Sequence, residues 1–314
     1  MDKHFFVFDR GHQKDINNIE QDEYLLLKQA KHYLLDLMSI EEHLNSVIEN
    51  YVEFERELYN CCLQNTVYPQ MLNDKLSDED RYCFNVEQIY LMNRRVINLL
   101  TSGYLYIANL ERSNRPIYKG EKKKLQHVKN LIKKQYDSEF SGYRVMCALR
   151  NHCQHYDIPF KGINQGWKRV VVEEKTLNKF TLELKIQIDE LEKNSGFKQQ
   201  VLNELKKIGK IVDLTPLIRE YILSLGKIHL EIRKLVATDV NTFEEAIQNS
   251  LEGCKGRMGF YGLPKIMIVN DSELIIESEN LFDFFIKRRR DLEAKNFHLD
   301  HFTGTFISSE APRI

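Results

Sequence analysis

The chain has 314 residues, 42% hydrophobic and 29% charged, enough to bury a sizeable core in one large domain or two. A formal net charge of −1 excludes a surface that attracts nucleic acid over its whole area, while leaving room for a local basic patch. No run reaches the ~18 consecutive apolar residues of a membrane span, and the apolar core of MDKHFFVFDRGHQKD is too short for a signal peptide, so the expectation is a cytoplasmic protein without membrane contact.

In chain order, Leu26, Ala30, Tyr33, Leu34, Leu37, Ile40, Leu44, Val47, Ile48, Tyr51 and Phe54 recur at spacings of three and four, which predicts one long helix or two, broken near Ser39. A second helix follows. It has Asp78 to Asp80 at its start and a buried stripe of Val86, Ile89, Tyr90, Val96, Ile97, Leu100, Tyr104 and Ile107. After the loop RSNRPIYKGEKKK come a short basic helix through Ile132 and a helix ending at Tyr156. Four or so helices before Pro159 predict a helical bundle. The run Val170 to Val172, then Phe180, Leu182, Leu184, Ile186 and Ile188 in alternation, predicts a β-hairpin turning through Asn178. Helices resume after Gly196, one of them with Thr215 as cap and Pro216 in its first turn. A short helix from Phe243 to Leu251, an irregular GCKGRMGFYGLP and a last helix from Glu279 to about Asn296 complete the chain. The fold class is therefore mainly α: a helical bundle over 1–160, then a small β-hairpin and a second helical region over 161–314. The six cysteines contain no CxxC pair and read as reduced thiols, with neither a disulfide framework nor a zinc site.

The stretch ALRNHCQHYDIP, residues 148–159, carries most of the polar chemistry. On a helix, Met146, Leu149, Cys153 and Tyr156 form one stripe, read as core, and Arg150, Asn151, Gln154 and His155 gather on the other side. His152 falls at the far margin, nearer the core edge. An ordinary solvated face accounts for polar residues there, but such faces use Lys and Glu, and neither occurs between Arg144 and Lys161. A permanently cationic fork beside a group that titrates near neutral pH suits phosphodiester chemistry.

Arg150-Asn151-His152-Cys153-Gln154-His155 resembles the Arg-x(4–6)-His signature of the HEPN superfamily (higher eukaryotes and prokaryotes nucleotide-binding domains), with the polar residue that family often places after the arginine. The run LRN..QH before proline is similar to the motif of bacterial HEPN-like proteins. The resemblance implies a HEPN-like bundle over 1–160 and a metal-independent endoribonuclease that needs no cofactor. It would act as a toxin of a toxin–antitoxin pair or as an antiviral abortive-infection effector, a homodimer with RNA as substrate and an inhibitor or antitoxin protein as partner. In that reading His155 moves a proton at the ribose 2′-OH or the leaving 5′-oxygen, Arg150 holds the scissile phosphate, and Asn151 orients His155 or the phosphate, giving 2′,3′-cyclic phosphate ends. Asp157 stands where nucleotidylated HEPN toxins carry tyrosine, so that mode of neutralisation is not implied. The alternative is a non-catalytic HEPN-like scaffold that binds a nucleotide or partner with the same face; a third is a helical interaction protein with no nucleotide ligand.

Gln154, Lys122, Lys123, Lys124 and Lys129 are the candidate RNA-binding residues, and the basic run Lys119 to Lys134 reads either as a backbone track or as a solvated helix face. Arg94 and Arg95 carry the same two readings. GRMGFYG lacks the context of a phosphate loop, and His298, Asp300 and His301 lack a fourth metal ligand. His229, one turn before Arg233, reads as a core-edge histidine.

Overall fold

The computed structural model describes residues 3–9, 14–72, 77–138, 141–172, 175–255 and 263–299. Its elements in chain order are β1 (Lys3–Asp9), β2 (Lys14–Asn18), α1 (Gln21–Leu72), α2 (Asp78–Leu110), a 3-10 turn (Pro116–Tyr118), α3 (Lys122–Tyr136), α4 (Gly142–His155), β3 (Gly162–Val172), β4 (Lys175–Gln187), α5 (Ile188–Glu192), α6 (Gln199–Ile208), β5 (Ile211–Asp213), α7 (Leu214–Lys255), β6 (Leu263–Val269), β7 (Ile275–Asn280) and α8 (Phe284–Lys295). The protein is mainly helical, as the periodicity predicts, and carries small antiparallel sheets, of which the reading held only the β3–β4 hairpin. Among the described residues no helix is long and apolar enough to cross a membrane. Cys61, Cys62, Cys83, Cys147 and Cys153 are free thiols.

Two compact units are each assembled from separate stretches: Met1–His43, Asn109–Val128 and Leu230–Phe297 in the first, and Leu44–Ala108, Lys129–His229 and the segment beginning at His298 in the second. The first holds a four-stranded antiparallel sheet in the order β2-β1-β6-β7, with Phe6, Val7 and Ile266 buried. Tyr24, Leu27, Ala30, Leu34, Leu37 and Ile40 of α1 form its helical core. Its mostly buried arginines are tied to carboxylates. Arg233 grips buried Glu41 through two bonds of 2.9 and 2.7 Å, Arg289 donates to Glu244 at 2.8 Å, and Arg115 pairs with Asp36 at 2.8 Å. In the second unit the β3–β4 hairpin is joined by β5, and Leu182, Leu184 and Ile186 are buried in alternation, as a half-buried strand requires.

Several elements differ from the sequence reading. Helix α1 does not break at Ser39: Leu37, Ile40 and Leu44 carry the buried stripe through it, and His43 Nδ1 lies 2.6 Å from the Ser39 carbonyl. β3 and β4 pair as far as Val172 opposite Lys175, so Asn178 is a strand residue opposite Arg169. Asp213, not Thr215, caps α7, accepting from the Thr215 N–H at 3.0 Å. The same helix runs unbroken through Thr238–Thr242, where Asp239 accepts from Tyr33 at 2.8 Å and Phe243 packs on that tyrosine ring. Glu279 and Asn280 end β7, and α8 starts only at Phe284. The strands β1, β2, β6 and β7 had no counterpart in the sequence reading.

Candidate functional site

Helix α4 is fixed at its start. The Ser141 hydroxyl accepts from the Arg144 N–H at 3.2 Å and donates to the Gln135 carbonyl at 2.8 Å, which satisfies a first-turn donor. Gly142 is required there: a Cβ would stand 2.7 Å from the Leu217 carbonyl oxygen. The Arg144 guanidinium, 3% exposed, makes two bonds to Glu204 at 3.1 and 2.7 Å and donates to the carbonyls of Ser138 and Tyr136. Val145, Ala148, Leu149 and His152, spaced three and four apart, form the buried stripe. The predicted stripe of Met146, Leu149, Cys153 and Tyr156 is thus rotated: Met146 and Leu149 are buried, Cys153 is half-buried and Tyr156 is exposed. It fails at the helix end because α4 stops at His155.

Arg150 is held differently. It is half-buried, its guanidinium carbon lies 3.6 Å from the ring centroid of Tyr104 on α2, and Nη1 donates to Asn151 Oδ1 at 3.0 Å. Its Nε is buried with no hydrogen-bond partner, and among the described residues no carboxylate pairs with it. Asn151, Gln154 and His155 are exposed. At about 100° per residue, Arg150, Gln154, Asn151 and His155 follow one another around an arc of about 140°, with Arg150 and His155 at its ends. Asn151 is bonded to Arg150 rather than to His155, and no hydrogen bond orients the His155 ring among the described residues.

His152 is 4% exposed, with its Nδ1 2.9 Å from the Asn194 amide nitrogen and its ring between Tyr156 and Phe197. Burial holds its imidazole below the ordinary histidine range, against the pull of Asp157 and with the push of Lys161. It lines a small recess with Pro159, Phe160, Lys161 and Glu190, where Lys161 bridges Asp157 at 2.8 Å and Glu190 at 3.2 Å. The segment behind the motif is pinned to α2: the Asn93 side chain donates to the Phe160 carbonyl at 2.9 Å and accepts its N–H at 3.3 Å. Burial pushes the Cys147 thiol up to about 11 and that of Cys153 to about 12, so neither is a ready nucleophile.

Of the candidate lysines, Lys122, Lys123 and Lys129 are exposed, whereas Lys124 pairs with Asp239 at 2.5 Å and Glu121 at 2.8 Å. Arg95 is bound to Glu53 and lies 3.7 Å from Glu57; Arg94 is exposed. His229, read as a core-edge histidine, is fully buried and 2.8 Å from the Tyr106 hydroxyl. Residues 256–262 of GRMGFYG, and Asp300 and His301, lie outside the described residues, and no group of metal-ligating side chains is found among the described ones. Tyr104 is the residue the sequence reading missed. Assigned to the buried stripe of α2 with Tyr90, it is instead 46% exposed and Tyr90 62%; the stripe is Met92, Val96, Leu99, Leu100, Tyr106, Ile107 and Leu110. Spacing held the signal, since Tyr90, Ile97, Thr101 and Tyr104 recur at seven, four and three on a neighbouring face. Comparison of the chain with protein-family models, with curated proteins and with solved structures finds no match.

Proposed function

We propose that the chain is a metal-independent endoribonuclease of the HEPN type, with Arg150, Asn151 and His155 as its working residues and Gln154 beside them. The observation that carries this reading is the state of Arg150: a cation without a carboxylate partner among the described residues, stacked on an aromatic ring, at one end of an arc that ends in an exposed histidine. The arginine meets the phosphodiester and offsets its added charge; the histidine transfers the proton at the 2′-hydroxyl or the leaving oxygen. Arg150 and His155 diverge by about 140° on one helix, which favours a twofold homodimer in which each copy completes the other's site. A toxin or antiviral role, restrained by an inhibitor protein in the cytoplasm, goes with that activity.

The test is cleavage of single-stranded RNA in excess EDTA, with 2′,3′-cyclic phosphate ends expected and a 2′-deoxy nucleotide at the cut position blocking the reaction. His155→Ala and Arg150→Ala should each lower the rate by roughly 10² or more. Equal rates in wild type and His155→Ala, or activity abolished by EDTA, would overturn the reading. A second reading, a non-catalytic scaffold that binds a nucleotide or partner on the same arc, is favoured by the unoriented His155 ring. RNA binding without cleavage selects it.

A further inference from the structure

We infer that Tyr104 is the positioning residue of this site and that it makes Arg150 read a phosphodiester end-on. The inference rests on the nucleic-acid reading above. A guanidinium offers an acceptor either its side edge, Nε with one Nη, or its end, the two Nη groups. The Arg150 Nε is sealed from solvent, and the Nη1 bond to Asn151 still leaves donors on both Nη groups. The 3.6 Å approach to the Tyr104 ring covers one flat face. What remains is the Nη end of the fork, which matches two oxygens of one phosphodiester. Tyr104 can hold this place because its neighbour is Gly103, where a Cβ would stand 2.2 Å from the Tyr221 hydroxyl; α2 thereby sits close to α7. Tyr104 would touch no reacting atom. Its work is to keep the guanidinium in one plane, at low entropic cost for the bound state.

The experiment measures binding of a single-stranded oligonucleotide made uncleavable by 2′-deoxy substitution throughout, by fluorescence anisotropy on the full chain, together with cleavage of the matching RNA. Tyr104→Leu, which keeps apolar cover but removes the π face, should weaken binding about tenfold, while Tyr104→Phe should match wild type. On an Arg150→Lys background, which lacks the planar fork, Tyr104→Leu should add no more than about twofold, a coupling that a merely structural residue does not show. Tyr104→Gln repeats the comparison should the leucine variant melt early. Unchanged binding in Tyr104→Leu, or equal loss in the phenylalanine variant, overturns the inference. Wild type that binds without cleaving removes the nuclease reading alone, and the tyrosine comparison still decides the positioning role. Wild type that neither binds nor cleaves ends both.

Discussion

Arg144 and Arg150 stand six residues apart on α4, and the helix treats them in opposite ways. At the buried end, Arg144 gives two bonds to Glu204 and further bonds to two carbonyls. At the exposed end, Arg150 lies on Tyr104 with its Nε unanswered. A buried arginine requires a carboxylate and enough acceptors, because desolvation of the charge costs several kcal/mol. Arg150, with no carboxylate partner among the described residues, has a charge still open to a ligand. The difference teaches that pairing, more than residue type, separates a structural cation from an available one.

The sharpest way to break the comparison is to truncate both. Arg144→Ala leaves the mostly buried Glu204 carboxylate without its cation, with a 3.3 Å bond from Gln200 remaining, and should cost about 3 kcal/mol in denaturant unfolding. Arg150→Ala removes the stacking contact on Tyr104 and one exposed bond to Asn151 and should cost about 1 kcal/mol, while the proposed cleavage activity falls. Equal destabilisation by the two substitutions would erase the distinction.

How far each end of α4 was legible follows from the same physics. The helix and its polar arc are local properties of side-chain spacing, so periodicity exposes Asn151, Gln154 and His155 directly, whereas the stripe it gives, Met146, Leu149, Cys153 and Tyr156, is rotated from the observed Val145, Ala148, Leu149 and His152. The partners of the two arginines are not local. Glu204 lies 60 residues from Arg144 and Tyr104 lies 46 before Arg150, so neither pairing is written in any window of sequence. The same limit covers the pairing of β1 with β6, which joins it from residues 263–269. Long helices failed for another reason. The polar run Thr238–Thr242 has weak intrinsic helix propensity, and tertiary contacts at Asp239 and Phe243 override it.

A smaller effect sharpens the contrast from the side of His152, which is built into the core next to the open arc. Its folded imidazole sits below the ordinary range, so the unfolded chain takes up that proton first as pH falls. The site imposes no penalty above about pH 6.5, the unfolded value, and stability should decline below it until the folded value is reached. Thermal midpoints at pH 7.5 and 5.5 should differ more in wild type than in His152→Gln. Asp157, held low chiefly by its bond to Lys161, loses its contribution only below its ordinary range near pH 3.9, outside that window. A pH response unaltered by His152→Gln would remove the buried histidine from the account.

The smallest expected effect concerns the lysines, where paired and unpaired cations recur side by side on α3. Lys124 is committed to Asp239 and Glu121, so Lys124→Gln should lower stability by about 1 kcal/mol and leave RNA affinity nearly unchanged. Lys122, Lys123 and Lys129 are exposed, and each that contacts a backbone phosphate releases a counterion on binding. For single-stranded RNA the slope of log K against log salt should therefore become shallower by about 0.7 for each such lysine replaced by glutamine, with the melting temperature unmoved. Titration of the triple variant Lys122→Gln, Lys123→Gln, Lys129→Gln at several salt concentrations gives the slope directly. A slope equal to that of wild type would return all three lysines to an ordinary solvated face and leave the arc around Arg150 as the whole of the proposed RNA contact.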